Sequence, residues 1–248
     1  MKQLNILITA CLLASCSKEY TPATPASYIS VIDDLTDSFA LHPAADPILG
    51  LYDFQTDKDQ AGNFRLVLIT DKQLNPIEEI HIDAGTETEK DNINDEVDYR
   101  EQLVYSFYDA IRKSLTDFHA RYAHSSPLEH SECFATISSE LNCLANSKAS
   151  QRTLIVFSDL QENEEAFSCY TERGRNLLHT HPDKVMRLLQ KRCPLPNDLS
   201  GVTVYFVYNP MNREQDISFS EMAGIYKQLL KERRARVVIL ATNKYYQP

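Results

Sequence analysis

Three observations predict an α/β fold, doubly wound around a mostly parallel sheet with helices on both faces. Five runs rich in branched and aromatic residues recur along the chain, and their hydrophobicity is continuous rather than alternating. That is the pattern of strands buried on both sides. Between them lie segments whose apolar residues fall at three- and four-residue steps, so that strand and helix patterns alternate in βαβ order.

The elements begin with an address. Lys2 precedes an apolar stretch, residues 4–14, broken only by Asn5 and Thr9. This suits a signal segment and is too short to span a bilayer stably. It ends Leu13-Ala14-Ser15-Cys16, which resembles the bacterial lipobox, in which small residues precede an obligatory cysteine. The resemblance implies cleavage of residues 1–15 and acylation of Cys16, a two-chain hold on a membrane. Residues 16–27, with Pro22, Pro25 and several Ser and Thr, have the composition of an extended tether. No later stretch is apolar enough for a transmembrane helix. The formal net charge is −10, and loss of Lys2 makes it more acidic, which argues against nucleic acid and against electrostatic binding to anionic lipid.

Residues 28–248 are ample for one domain with a sizeable core. Its strands are expected at 28–32, 64–69, 153–157, 202–208 and 236–241, with 76–83 as an edge strand paired in a hairpin with the second. Helices are expected at 96–121 (Leu103, Phe107, Ile111, Leu115), at 131–145 (Phe134, Ile137, Leu141, Leu144) and at 220–234 (Met222, Ile225, Leu229). Residues 160–200 contain Pro182, Pro194 and Pro196 and many charges, and suit a loop-rich insertion between two strands.

Of six cysteines, Cys11 falls in the signal and Cys16 takes the lipid, leaving Cys133, Cys143, Cys169 and Cys193 in an oxidising compartment if the chain is exported. Cys133 and Cys143 share a predicted helix, where ten residues of rise, about 15 Å, forbid a bridge. Two alternatives remain, a Cys169–Cys193 disulfide closing the insertion or four free thiols.

Ligand sites in such sheets lie outside the carboxyl ends of the strands, and two of those ends are rich in oxygen. The first strand runs into Asp34-Leu35-Thr36-Asp37-Ser38, the one at 153–157 into Ser158-Asp159-Leu160-Gln161-Glu162. Asp34, Thr36 and Ser38 offer one carboxylate and two hydroxyls that a tight loop can aim at one point, with Asp159 facing them from across the sheet. Oxygen ligands of low total charge suit a hard cation, Mg²⁺ before Mn²⁺ or Ca²⁺, that keeps waters in its shell. The bland readings are a helix cap at Asp34 or Ser38 and a strand-ending turn at Ser158-Asp159.

Asp34-x-Thr36-x-Ser38 after a hydrophobic first strand resembles the Asp-x-Ser-x-Ser motif of von Willebrand factor A domains, and Ser158-Asp159 resembles their later Ser-Asp element. The order of strands and helices, over nearly all of the mature chain, is similar too. The resemblance implies a divalent metal held directly by the hydroxyls of Thr36 and Ser38, with Asp34 and Asp159 acting mostly through water, and an open metal position that takes a carboxylate from a protein partner. Thr36 departs from the family's serine but keeps the hydroxyl. The family's middle threonine has no clear counterpart. Ser131, expected as the N-cap of its helix, is the first choice, and Ser126 is the rival.

Other chemistries fit less well. A phosphoaspartate hydrolase needs a carboxylate where Thr36 stands, and a response-regulator receiver needs its phosphoacceptor much sooner than Asp159. There is no Gly-rich phosphate loop and no Gly-x-Ser-x-Gly elbow. His179-x-His181 with Cys169 and Cys193 matches no established zinc spacing. The expectation is a lipid-anchored, von Willebrand factor A-like binding domain of a Gram-negative envelope, at the outer membrane, in an envelope, secretion or conjugation assembly. A metal-dependent hydrolase and a metal-free scaffold subunit are the alternatives.

Overall fold

Alternation along β1 (Ser27–Asp34) sets the plan of the molecule: every residue of it is buried, so the strand has a helix layer on each side. It lies third in a six-stranded sheet in which β2 (Gly62–Ile69), β3 (Ile77–Ile82), β4 (Gln151–Phe157), β5 (Val202–Val207) and β6 (Arg236–Leu240) are ordered β3-β2-β1-β4-β5-β6. All neighbours are parallel except the β2–β3 hairpin, as expected for the edge strand. The computed structural model describes residues 26–36, 41–70, 74–85, 99–122 and 130–242. The predicted signal, Cys16, the tether up to residue 25, Ser38 and Ser126 lie outside them, and Ser27, expected at the end of the tether, begins β1.

The described helices are α1 (Ala45–Leu49), α2 (Tyr99–Lys113), α3 (His119–Tyr122), α4 (Cys133–Asn146), α5 (Glu172–Thr180), α6 (Pro182–Arg192) and α7 (Arg213–Lys231). On one face Ile32, Leu154, Val156 and Phe206 pack with α4, α6 and α7. On the other Ile29, Val31, Ile155 and Phe157 pack with α1 and α2.

Three elements differ from expectation. Residues 160–200 are not loop-rich, because α5 and α6 bury Leu178, Val185, Met186 and Leu189 against the sheet's helix layer. The helix expected at 220–234 begins at Arg213, where Asn212 Oδ1 accepts the Gln215 amide at 3.0 Å, and its first two turns are mostly polar and exposed. The helix expected to run unbroken over 96–121 widens into a π-turn at Ser114–Phe118, in which Ser114, Leu115 and Phe118 are all buried.

A buried polar network seats α4 on the sheet. Glu140 of α4, 1% exposed, accepts the Ser30 hydroxyl at 2.7 Å and the Arg65 Nε at 3.0 Å, and Arg65 also pairs with Glu79 of β3 at 3.2 Å. One carboxylate thus ties α4 directly to β1 and β2, and through Arg65 to β3. Glu140→Ala leaves the half-buried Arg65 guanidinium without its closest counter-charge. It is expected to cost about 3–5 kcal/mol, the usual loss when one partner of a buried pair is removed. Chemical denaturation checks this; a loss below about 1 kcal/mol would show that the pair does not seat the helix.

Candidate functional site

Asp33 of β1 stands opposite Phe157 of β4, so residues 34 and 158 leave the sheet side by side. Asp34 is fully buried, and burying a carboxylate demands hydrogen bonds in place of water. Its Oδ1 accepts the Thr36 amide at 2.9 Å and the Thr36 hydroxyl at 2.5 Å. Its Oδ2 accepts the Ser158 hydroxyl at 2.6 Å, with the Cys133 thiol at 3.4 Å. Burial pushes the Asp34 pKa up, and the hydrogen bonds from Ser158, Thr36 and Cys133 pull it back.

Thr36 Oγ1 lies 3.1 Å from Ser131 Oγ. The much shorter contact with Asp34 takes the Thr36 hydroxyl hydrogen, so a lone pair of that oxygen is left to accept from Ser131. Ser131 Oγ is in turn 3.2 Å from Cys133 Sγ, which is 3.6 Å from Ser158 Oγ. Hydroxyls from the loop after β1 and the loop before α4 therefore meet over one carboxylate.

After β4 the chain reverses at once. Ser158 Oγ accepts the Leu160 amide and Asp159 Oδ1 accepts the Gln161 amide, both at 2.9 Å, around a left-handed Leu160 (φ 62°). Leu160 is buried in the core, which holds a conformation that costs a residue with a Cβ about 1–2 kcal/mol. Ser158-Asp159 is thus a strand-ending turn and a part of the cluster together. Asp159 is half-buried on the same rim. Burial raises the Cys133 pKa, and the charges of Asp34, Glu162 and Asp159 raise it further.

One expectation about a cap is corrected, and the bland reading of Asp34 as a cap gains no support: among the described residues it caps no helix, the first described helix starting behind Ala44 with no side-chain cap. Ser131 is not the N-cap of α4: that position is Glu132, which makes no side-chain cap bond, and Ser131 instead forms a backbone bridge with Asn163. The bond to the first turn of α4 comes from far along the chain. Glu162, 1% exposed, accepts the Phe134 amide at 2.5 Å and the Tyr226 hydroxyl at 3.0 Å on one oxygen. The disulfide alternative is also corrected, since Cys169, buried, and Cys193, half-buried, are both free thiols, as are Cys133 and Cys143.

Cys133 and Glu162 are the members of the cluster that the sequence did not single out. Neither carries a local signal, because Glu162 is one of several acids in a polar run and Cys133 reads as a core residue. Beside the site, on the opposite face of β1, buried Asp33 meets the Nδ1 of His42 at 2.9 Å.

The donor set suits a hard cation. Octahedral Mg²⁺ holds its oxygens at 2.0–2.1 Å, so neighbouring ligand oxygens stand about 3 Å apart, close to the 3.1 Å between Thr36 and Ser131. Thr36 and Ser131 are the described residues that would hold it directly, with Asp34 and Asp159 behind water. Among the described residues no three His, Cys, Asp or Glu side chains form a metal-holding group, and a set built largely on hydroxyls is not of that kind. His179 pairs with Glu221 of α7 at 2.8 Å.

Burial raises the Glu162 pKa from 4.5 to about 8, against the pull of the Phe134 amide and Tyr226 hydroxyl. A carboxyl whose pKa is higher folded than unfolded stabilises in full below the unfolded value, and that contribution is lost as pH rises towards the folded one. Glu162→Gln keeps an oxygen for both donors and removes the titration. Relative to this variant, the parent chain is expected to lose on the order of a few kcal/mol between pH 5 and pH 8. Parallel stability profiles in urea would contradict it.

No protein-family model matches the chain, and no curated protein matches it in sequence.

Proposed function

We propose that the chain is a lipid-anchored binding module of the bacterial cell envelope, of von Willebrand factor A type, that captures a carboxylate of a protein partner at a divalent-metal site. The observation that carries this reading is the meeting of the Thr36 and Ser131 hydroxyls, from segments 95 positions apart, over the buried Asp34 carboxylate. Asp34 takes the Thr36 hydroxyl hydrogen and so orients that oxygen; Ser158 and Cys133 hold Asp34 from behind, and Asp159 adds charge at the rim. A bound Mg²⁺ would supply an open coordination position for the partner's carboxylate. The strand order with one antiparallel edge, and the place of the cluster at the carboxyl ends of β1 and β4, support the same reading.

Mg²⁺ is expected to stabilise the chain by mass action, by about 2.7 kcal/mol at a free concentration 100 times the Kd. Thr36→Val removes one hydroxyl without burying a charge and should abolish most of that gain. Identical melting of the parent chain in millimolar Mg²⁺ and in chelator would refute the metal reading and favour the scaffold alternative.

The anchor is tested separately. Cys16→Ser should end metabolic labelling with palmitate and leave an uncleaved precursor. Undiminished labelling would refute the lipobox. No helix among the described residues is long and apolar enough to cross a membrane.

A further inference from the structure

Ser131 stands one residue outside the N-cap of α4, and at the N-cap a serine usually spends its hydroxyl on the helix's first amides. Here it does not. The N-cap itself, Glu132, sends its carboxylate away from the helix to Arg192 of α6 at 2.7 Å. Phe134, in the first turn, has its amide taken by Glu162, and Ser131 Oγ faces Thr36 and Cys133 instead.

Glu162 belongs to a three-residue clamp. Ser131 and Asn163 exchange two backbone hydrogen bonds, at 3.2 and 3.0 Å, and the Cys133 thiol lies 3.6 Å from the Gln161 carbonyl. The segment 161–163 therefore grips 131–134 on both sides of the N-cap. This same segment begins two residues after Asp159, so the clamp joins the two loops that bear Ser131 and Asp159. Behind it Tyr226 of α7, wedged against Phe134 and Phe206, donates its hydroxyl to the oxygen that accepts the Phe134 amide. The carboxyl group is held in place by α7 rather than by its own flexible stem.

We infer that Glu162 is a positioning residue for the metal site: it caps α4 from outside the helix, and so releases the Ser131 hydroxyl to stand beside that of Thr36. The inference rests on the metal reading proposed above and deepens it. Ser131 precedes Phe134 by three residues, a separation at which a serine hydroxyl can accept a helix's early amide, so without the outside cap its hydroxyl can turn to that amide and be lost to the metal. The loss acts through Ser131 and leaves Asp34, Thr36 and Asp159 in place.

The test titrates the full chain with Mg²⁺ and follows the melting temperature, comparing Glu162→Ala, Glu162→Asp, Glu162→Gln and Leu189→Ala. Leu189 is a core residue of α6 outside the clamp, and its truncation controls for general loss of stability. Glu162→Ala should weaken Mg²⁺ binding tenfold or more, the usual scale for removing a group that orients a ligand. Glu162→Asp, whose shorter stem withdraws the oxygen from the Phe134 amide, should do the same and serves if the alanine variant does not fold. Glu162→Gln should bind within about threefold of the parent chain, because its amide oxygen accepts both donors. Leu189→Ala should melt lower and keep its Mg²⁺ shift. Equal loss in Glu162→Gln and Glu162→Ala, or parent-like binding in both Glu162→Ala and Glu162→Asp, would overturn the positioning role. A parent chain with no Mg²⁺ shift would instead overturn the metal reading, and this inference with it.

Discussion

The burial of one carboxylate organises this end of the molecule. Asp34 has no access to water, and an ionised carboxylate in that position is tolerated only if donors surround it. Thr36 supplies two from its own loop, Ser158 one from the end of β4, and Cys133 a weaker one from the start of α4. Three segments far apart in sequence are thereby drawn to one point. The same bonds that satisfy the buried charge also aim the hydroxyls, so stability and a binding geometry come from one set of contacts.

That arrangement requires α4 to arrive at a fixed height and angle. Along β1, Ser30, Ile32 and Asp34 share the face on which α4 lies, and Glu140 locks the middle of the helix to Ser30 and Arg65 while Cys133 meets Asp34 at its start. Two polar anchors about two turns apart, with Phe134 and Ile137 packed between them, leave the helix little freedom to slide or rotate. Glu162 and the Ser131–Asn163 bridge then fix the loop ahead of it, and Tyr226 carries the constraint into α7. The site is therefore braced by the segment after β4, which the sequence offered only as the start of an insertion, and by α7.

What was legible in the sequence follows from the range of the forces involved. The buried strands announce themselves because burial on both faces makes each a continuous apolar run, and β3 because its paler pattern, with Glu78 and Glu79, suits an edge. Asp34, Thr36 and Asp159 can be singled out as candidates because a strand end is a local event and the residues that follow it fall at the sheet's rim. Ser131 can be singled out by its position, but the N-cap expected there is Glu132 instead. The residue that bonds the first turn of α4 lies 28 positions away, at Glu162, and no local pattern marks it. The start of α7 was missed because its first turns carry polar residues and an Asn212 cap rather than an apolar face. Cysteine pairing depends on where two helices and a loop place their thiols, which spacing alone does not determine.

The central claim is that the Thr36 and Ser131 hydroxyls are metal ligands rather than only each other's neighbours. Crystals of the chain grown with Mn²⁺, examined by anomalous scattering, test it most directly. The account predicts a single strong peak at the carboxyl ends of β1 and β4, about 2.1–2.2 Å from both hydroxyl oxygens, that vanishes in Ser131→Ala. Crystals with no peak there, the two hydroxyls still bonded to one another in saturating metal, would contradict it.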